Sequence, residues 1–128
     1  MNTTTPSEIV FIDSSIPDYQ LILGSIPAAW PVVVLNNQED GLVQITNALS
    51  RYNNLSAVHI ISHGETARLS LGSARVDSHN LNHYSDSLQS WKQSLAVNAD
   101  ILFYGCDLAQ GDLGQNFINQ FSRLTGFD

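Results

Sequence analysis

Two apolar runs end in residues that could do chemistry. Ala57-Val58-His59-Ile60-Ile61 runs into Ser62-His63-Gly64, and Ile101-Leu102-Phe103-Tyr104 runs into Gly105-Cys106-Asp107. His63 and Cys106, the chain's one cysteine, stand 43 positions apart (106 − 63). A thiol with an ordinary pKa of about 8.5 is only a few per cent thiolate at neutral pH. An imidazole beside it raises that fraction or takes the proton during attack. Gly64 has no Cβ, so its N–H can approach a reacting carbonyl closely. Together with the N–H of Cys106 it would form an oxyanion hole. The chemistry these residue types point to is thiolate attack on a carbonyl, a thioester, then hydrolysis.

Each residue also has a structural reading. A lone cysteine after an apolar strand is commonly a small core residue. A histidine at a strand end is commonly a hydrogen-bonded turn residue. The order is what raises the pair: one strand ends in His-Gly and a later one in Gly-Cys. Asp107 has two readings as well. It could line a substrate pocket and select a basic residue, or cap amides at the start of the next helix, as Asp112 would. His59 lies on the His63 face if strand alternation persists that far. His79 and His83 form an i, i+4 pair, but nothing in the spacing unites the two pairs into a metal site, so no metal is expected. A redox thiol would need a resolving cysteine, and this chain has only Cys106.

The elements that must carry these groups follow from periodicity. Strands are predicted at 8–13, 31–35, 57–62 and 100–104, each a short β-branched or aromatic run. Helices are predicted at 17–23, 40–52, 78–84, 87–97 and 113–124, with Leu81, Leu88, Trp91 and Leu95 facing inward. A small hairpin is predicted over 69–76. Alternating strands and helices imply an α/β fold, a mostly parallel sheet between two helical layers. Right-handed crossovers point parallel strands the same way, so both reactive ends open on the carboxyl edge, where such sheets bind ligands.

Composition narrows the function classes. The chain has 128 residues, 43% of them hydrophobic and 13% charged, which suits one globular domain. Twelve acidic residues against five basic ones give a net charge of −7. Such a surface repels phosphate backbones and anionic membranes, so no nucleic-acid partner is expected. Arg51, Arg68, Arg75 and Arg123 are scattered along the chain and form no basic patch in sequence. No apolar run approaches the ~20 residues of a membrane span. No glycine-rich phosphate loop occurs, and no cofactor is expected. The first residues, Met1 to Glu8, show no basic and apolar regions of a signal peptide, which leaves location open.

The segments Val58 to Gly64 and Ile101 to Cys106 resemble the caspase-like (clan CD) cysteine peptidases, among them caspases, gingipains, legumains, separases and bacterial CHAT domains. More closely, Glu8 to Ser15, Val58 to Gly64, Leu69 to Ser73, Asp100 to Gly111 and Leu124-Thr125-Gly126 resemble a domain-of-unknown-function family. That family is found near the N-terminus of large bacterial surface or secreted proteins, often cyanobacterial ones with cadherin-like or calcium-binding repeats. The resemblance implies a caspase-like three-layer α-β-α sandwich. It also implies His63 as general base or acid, Cys106 as nucleophile, and the Gly64 and Cys106 amides as oxyanion donors. The substrate would be a peptide or protein segment, including one in cis. The rival class is a catalytically idle export, targeting or assembly module of an adhesin. Such families continue past Thr-Gly into another strand, so the chain is read as one domain of a longer protein whose sheet lacks its final strand. An open sheet edge invites pairing with another chain, and a homodimer is the expectation.

Overall fold

The computed structural model describes residues 7–65, 68–104 and 111–125. Strands β1 (Glu8–Asp13), β2 (Val32–Leu35), β3 (Leu55–Ile61) and β7 (Leu95–Tyr104) form a parallel sheet in the order β2-β1-β3-β7. A second, antiparallel sheet holds β4 (Gly64–Glu65), β5 (Arg68–Leu71) and β6 (Ala74–Asp77). Helix α1 (Tyr19–Leu23) links β1 to β2, and α2 (Gly41–Leu49) links β2 to β3. The 3-10 turns Leu81–Tyr84 and Trp91–Ser94 flank α3 (Ser85–Ser90), and α4 (Gly111–Thr125) follows β7. The protein is a mixed α/β sandwich around a mostly parallel four-stranded sheet, as the alternating pattern requires.

The two sheet faces differ. Ile9, Phe11, Leu35, Val58 and Ile60 point to one side and pack with Leu42, Ile45, Leu88, Trp91, Phe117 and Phe121 from α2, α3, the turn after it and α4. Phe103 of β7 meets Phe121 edge-on at 5.5 Å, and Trp91 meets Phe121 at 5.7 Å. Phe117 and Phe121 are one helical turn apart, so a single stripe of α4 supplies both rings. On the other face Val10 and Ile12 are buried at the centre, while Val32, Val34, Leu102 and Tyr104 on the flanks stay partly exposed. There the Trp30 ring stacks on His59 at 5.0 Å. The His59 Nε2–H donates to Glu8 Oε1 at 2.8 Å, and Nδ1 lies 2.7 Å from the Tyr104 hydroxyl. His59 thus ties three adjacent strands together.

The predicted helices over 40–52 and 78–84 shorten to Gly41–Leu49 and to the 3-10 turn Leu81–Tyr84, and the one over 87–97 departs furthest from its periodicity. Leu95, expected to face inward from a helix over 87–97, instead begins β7. The helical part ends with the turn Trp91–Ser94, where the Ser94 hydroxyl donates to the Leu49 carbonyl at 2.6 Å. Asn98 then takes a left-handed φ of 62°, and the β3–β7 register shifts between Leu55 and Ala57. Asparagine tolerates that conformation better than a β-branched residue such as the adjacent Val97 would. The irregularity lets one long strand absorb residues that read as helix end. Among the described residues no helix is long and apolar enough to cross a membrane.

Candidate active site

His63 stands at the carboxyl edge of the sheet, two residues past the end of β3. Its backbone is held by the second sheet, since the Ser70 N–H donates to the His63 carbonyl at 2.9 Å. Gly64 follows at once and pairs with Leu69 of β5. The imidazole is exposed, and its Nε2 lies 3.3 Å from the Ser15 carbonyl. A carbonyl oxygen only accepts, so Nε2 is the donor in this contact.

Ser15 is itself fixed by the end of β1. Asp13 is 2% exposed, and its Oδ1 accepts from the Ser15 amide at 2.9 Å and the Ser15 hydroxyl at 2.6 Å. Its Oδ2 accepts from the Gly72 N–H at 2.7 Å. One buried carboxylate thus joins the loop after β1 to the turn of the β5–β6 hairpin, and His63 lies between them.

Ser15, His63, Arg68, Ser70 and Arg75, with Gly64 and Gly72, line one cavity of about 470 Å³. The two arginines, which look scattered in sequence, meet here because the hairpin folds them onto one face. Ser70 pairs with Arg75 and Arg68 with Asp77, while the intervening Leu69 and Val76 point into the core. Strand alternation around Gly72 is the sequence signal that could have found them. Ser15 could have been found as the residue just past a strand's carboxyl end, on the edge that carries His63.

Cys106 and Asp107 lie outside the described residues. What is described is the strand that leads to them. Ile61 and Tyr104 are register partners on adjacent parallel strands, and the Ser62 N–H reaches the Tyr104 carbonyl at 3.4 Å. His63 is two residues past Ile61, and Cys106 is two residues past Tyr104. The Ser62 hydroxyl at this edge is buried and has no hydrogen-bond partner among the described residues. His59, by contrast, belongs to the sheet's half-covered face, and no group of three His, Cys, Asp or Glu side chains suited to a metal occurs among the described residues.

The model of a family described as a domain of unknown function (DUF4347) matches residues 9–128. The chain belongs to that family. Nearly all of the described sheet, the hairpin and α4 lie inside the DUF4347 match, so the family boundary takes in the whole candidate site. No curated protein matches the chain.

Proposed function

We propose that this DUF4347 domain is a caspase-like cysteine peptidase that cleaves peptide bonds with a His63/Cys106 dyad. The observation that carries the reading is the register of β3 and β7. Ile61 and Tyr104 are paired, and the imidazole and the thiol each follow two residues later. Adjacent parallel strands run about 4.8 Å apart, a spacing that suits two side chains meant to exchange a proton. The orientation of His63 supports the same reading, because the Ser15 carbonyl occupies Nε2 and leaves Nδ1 to act as base.

In this mechanism Nδ1 takes the Cys106 proton, and the thiolate attacks the scissile carbonyl carbon. The C–S bond forms as the carbonyl π electrons move to oxygen, which the Gly64 and Cys106 amides receive. Collapse breaks the C–N bond, and the imidazolium gives its proton to the leaving amine. Water, deprotonated by His63, then hydrolyses the thioester and frees the thiol. Substrates are peptide or protein segments, including one in cis.

The test is the pH dependence of Cys106 alkylation by iodoacetamide. Reaction well below pH 8, slowed by His63→Ala, is the expected result. A thiol that titrates near the ordinary ~8.5, indifferent to His63, would overturn the dyad and favour an idle assembly module. Cys106→Ala is expected to abolish cleavage and leave the fold intact.

The same reading extends to assembly. β7 is the end strand of the parallel sheet among the described residues, with Val97 90% exposed on it. An end strand keeps a row of unpaired backbone groups, and a second copy of this chain is the proposed occupant.

A further inference from the structure

We propose that Asp13 is a positioning residue for His63, holding the imidazole in one place through the Ser15 carbonyl and the β5–β6 hairpin. The consequence for reactivity rests on the dyad reading, whereas the hold on the ring stands on the bonds themselves.

Asp13 ends β1, pairs in register with Leu35 and is buried. A carboxylate in such a place is costly unless donors meet its oxygens. Here they do: the Ser15 amide and hydroxyl meet Oδ1 at 2.9 and 2.6 Å, and the Gly72 amide meets Oδ2 at 2.7 Å. Asparagine could not match this, because it has one acceptor oxygen and would turn an NH2 group toward a donor. The position therefore asks for a carboxylate as such, not for any small polar residue.

Those bonds act on both sides of His63. On one side the loop after β1 is fixed at successive residues. The Ser14 N–H donates to the Leu35 carbonyl at 3.0 Å, the Ser15 N–H to the Asp13 side chain, and the Ile16 N–H to the Asp13 carbonyl at 3.1 Å. The Ser15 carbonyl, set between them, lies 3.3 Å from His63 Nε2. On the other side Oδ2 holds the hairpin turn at Gly72, and Ser70 of the same hairpin donates to the His63 carbonyl at 2.9 Å. The links close a circuit: Asp13 to Ser15, Ser15 to the His63 ring, the His63 main chain to Ser70, and the hairpin through Gly72 back to Asp13. His63 is exposed, so packing does little to fix its ring, and the circuit supplies what burial does not. A base must meet its proton at hydrogen-bond distance, and a displacement of about 1 Å is felt in the rate. Asp13 bonds to Ser15 and Gly72, and acts on the ring through them.

The experiment reads Asp13→Asn in two ways in the full chain, with circular dichroism to show that it is folded. The first reading is the nuclear Overhauser contact between the His63 ring protons and Ser15, which needs no reaction. It is expected in wild type and lost in Asp13→Asn. The second is the pH profile of Cys106 alkylation by iodoacetamide. Asp13→Asn should slow it about tenfold at neutral pH and leave it unchanged above about pH 10, where the thiolate forms without help. In a His63→Ala background Asp13→Asn should add nothing, whereas a merely structural role would act with or without the imidazole. Ser15→Ala removes the 2.6 Å bond and keeps the Ser15 amide and carbonyl, so a smaller loss in the same direction is expected. A folded Asp13→Asn protein that keeps the contact, or one slowed equally with and without His63, would overturn the proposal. If Asp13→Asn does not fold, a Ser15→Ala protein identical to wild type in both readings would overturn it instead. Loss of the contact, in a protein whose thiol ignores His63, would keep the positioning and sink the dyad. A contact that survives Asp13→Asn, beside a thiol that needs His63, would do the reverse.

Discussion

Asp13 is a carboxylate almost fully withdrawn from water at the end of β1, and three donors compensate it. Removing this acceptor would leave the Ser15 and Gly72 amides of two part-buried hydrogen bonds without it, at a cost of at most roughly 1–3 kcal/mol each. Its placement explains why Ser15, and through it His63, holds one orientation. Asp40 plays a comparable part at the start of α2. Its Oδ1 accepts the Leu42 and Val43 amides, and its Oδ2 accepts the Tyr84 hydroxyl at 2.7 Å. Burial, then this bond and the charge of Asp40, push the Tyr84 pKa up from 10.0 to about 12. The native state therefore keeps a proton that the unfolded chain loses near 10.0. Stability linked to it is complete below that pH and is lost as pH rises through about 12. Urea titrations across this alkaline range should show a steeper decline for wild type than for Tyr84→Phe. Identical declines would show that the hydroxyl contributes nothing.

The hairpin β5–β6 is the element on which the site depends. Gly72 turns it with a φ of +58°, and a Cβ there would sit 2.3 Å from the Glu39 carbonyl oxygen and 2.8 Å from the Gly41 nitrogen. The turn is packed directly on the approach to α2, where Ser73 also donates to the Glu39 carbonyl at 2.8 Å. Gly72→Ala must accept both the left-handed backbone and a clash with main-chain atoms that cannot yield cheaply. The left-handed conformation alone costs roughly 1–2 kcal/mol. A loss of about 2 kcal/mol or more is expected in chemical denaturation, with His63 and the arginines misplaced in the protein that does fold. A Gly72→Ala protein as stable as wild type would mean that the turn can reorganise.

On the scale of the whole molecule, one sheet face is sealed by α2, α3 and α4, and the other is covered only at its centre. Among the described residues, the end strand β7 and the exposed flanks Val32, Val34, Leu102 and Tyr104 are where the proposed pairing of copies would take place. Sedimentation velocity over a range of concentrations should reveal a dimer for wild type and a shift toward monomer for Val97→Lys, since charge on an end strand opposes pairing. A monomer at every concentration would remove the proposed pairing. The net charge of −7 works against such association at low ionic strength, so the dimer is expected to strengthen with added salt.

Local pattern was enough for β1, β2 and β3. β1 is legible to the residue because Glu8-Ile9-Val10-Phe11-Ile12-Asp13 offers no helical period, and the apolar runs of β2 and β3 are nearly as plain. The alternation of strands with helices likewise determined the parallel sheet, and with it the edge on which His63 opens. Segment 87–97 misled because Leu88, Trp91 and Leu95 keep a helical spacing across a boundary, and only pairing with β3 makes Leu95 a strand residue. His63 and Gly64 were visible in sequence because strand ends are local. Arg68 and Arg75 were not, because their meeting needs the Gly72 turn and the antiparallel register. Nor could sequence reveal that Asp13 would clamp Ser15 to a turn 59 residues away. Near-neighbour periodicity is written in the chain itself, whereas a cavity exists only once distant segments have paid their entropy and closed around it.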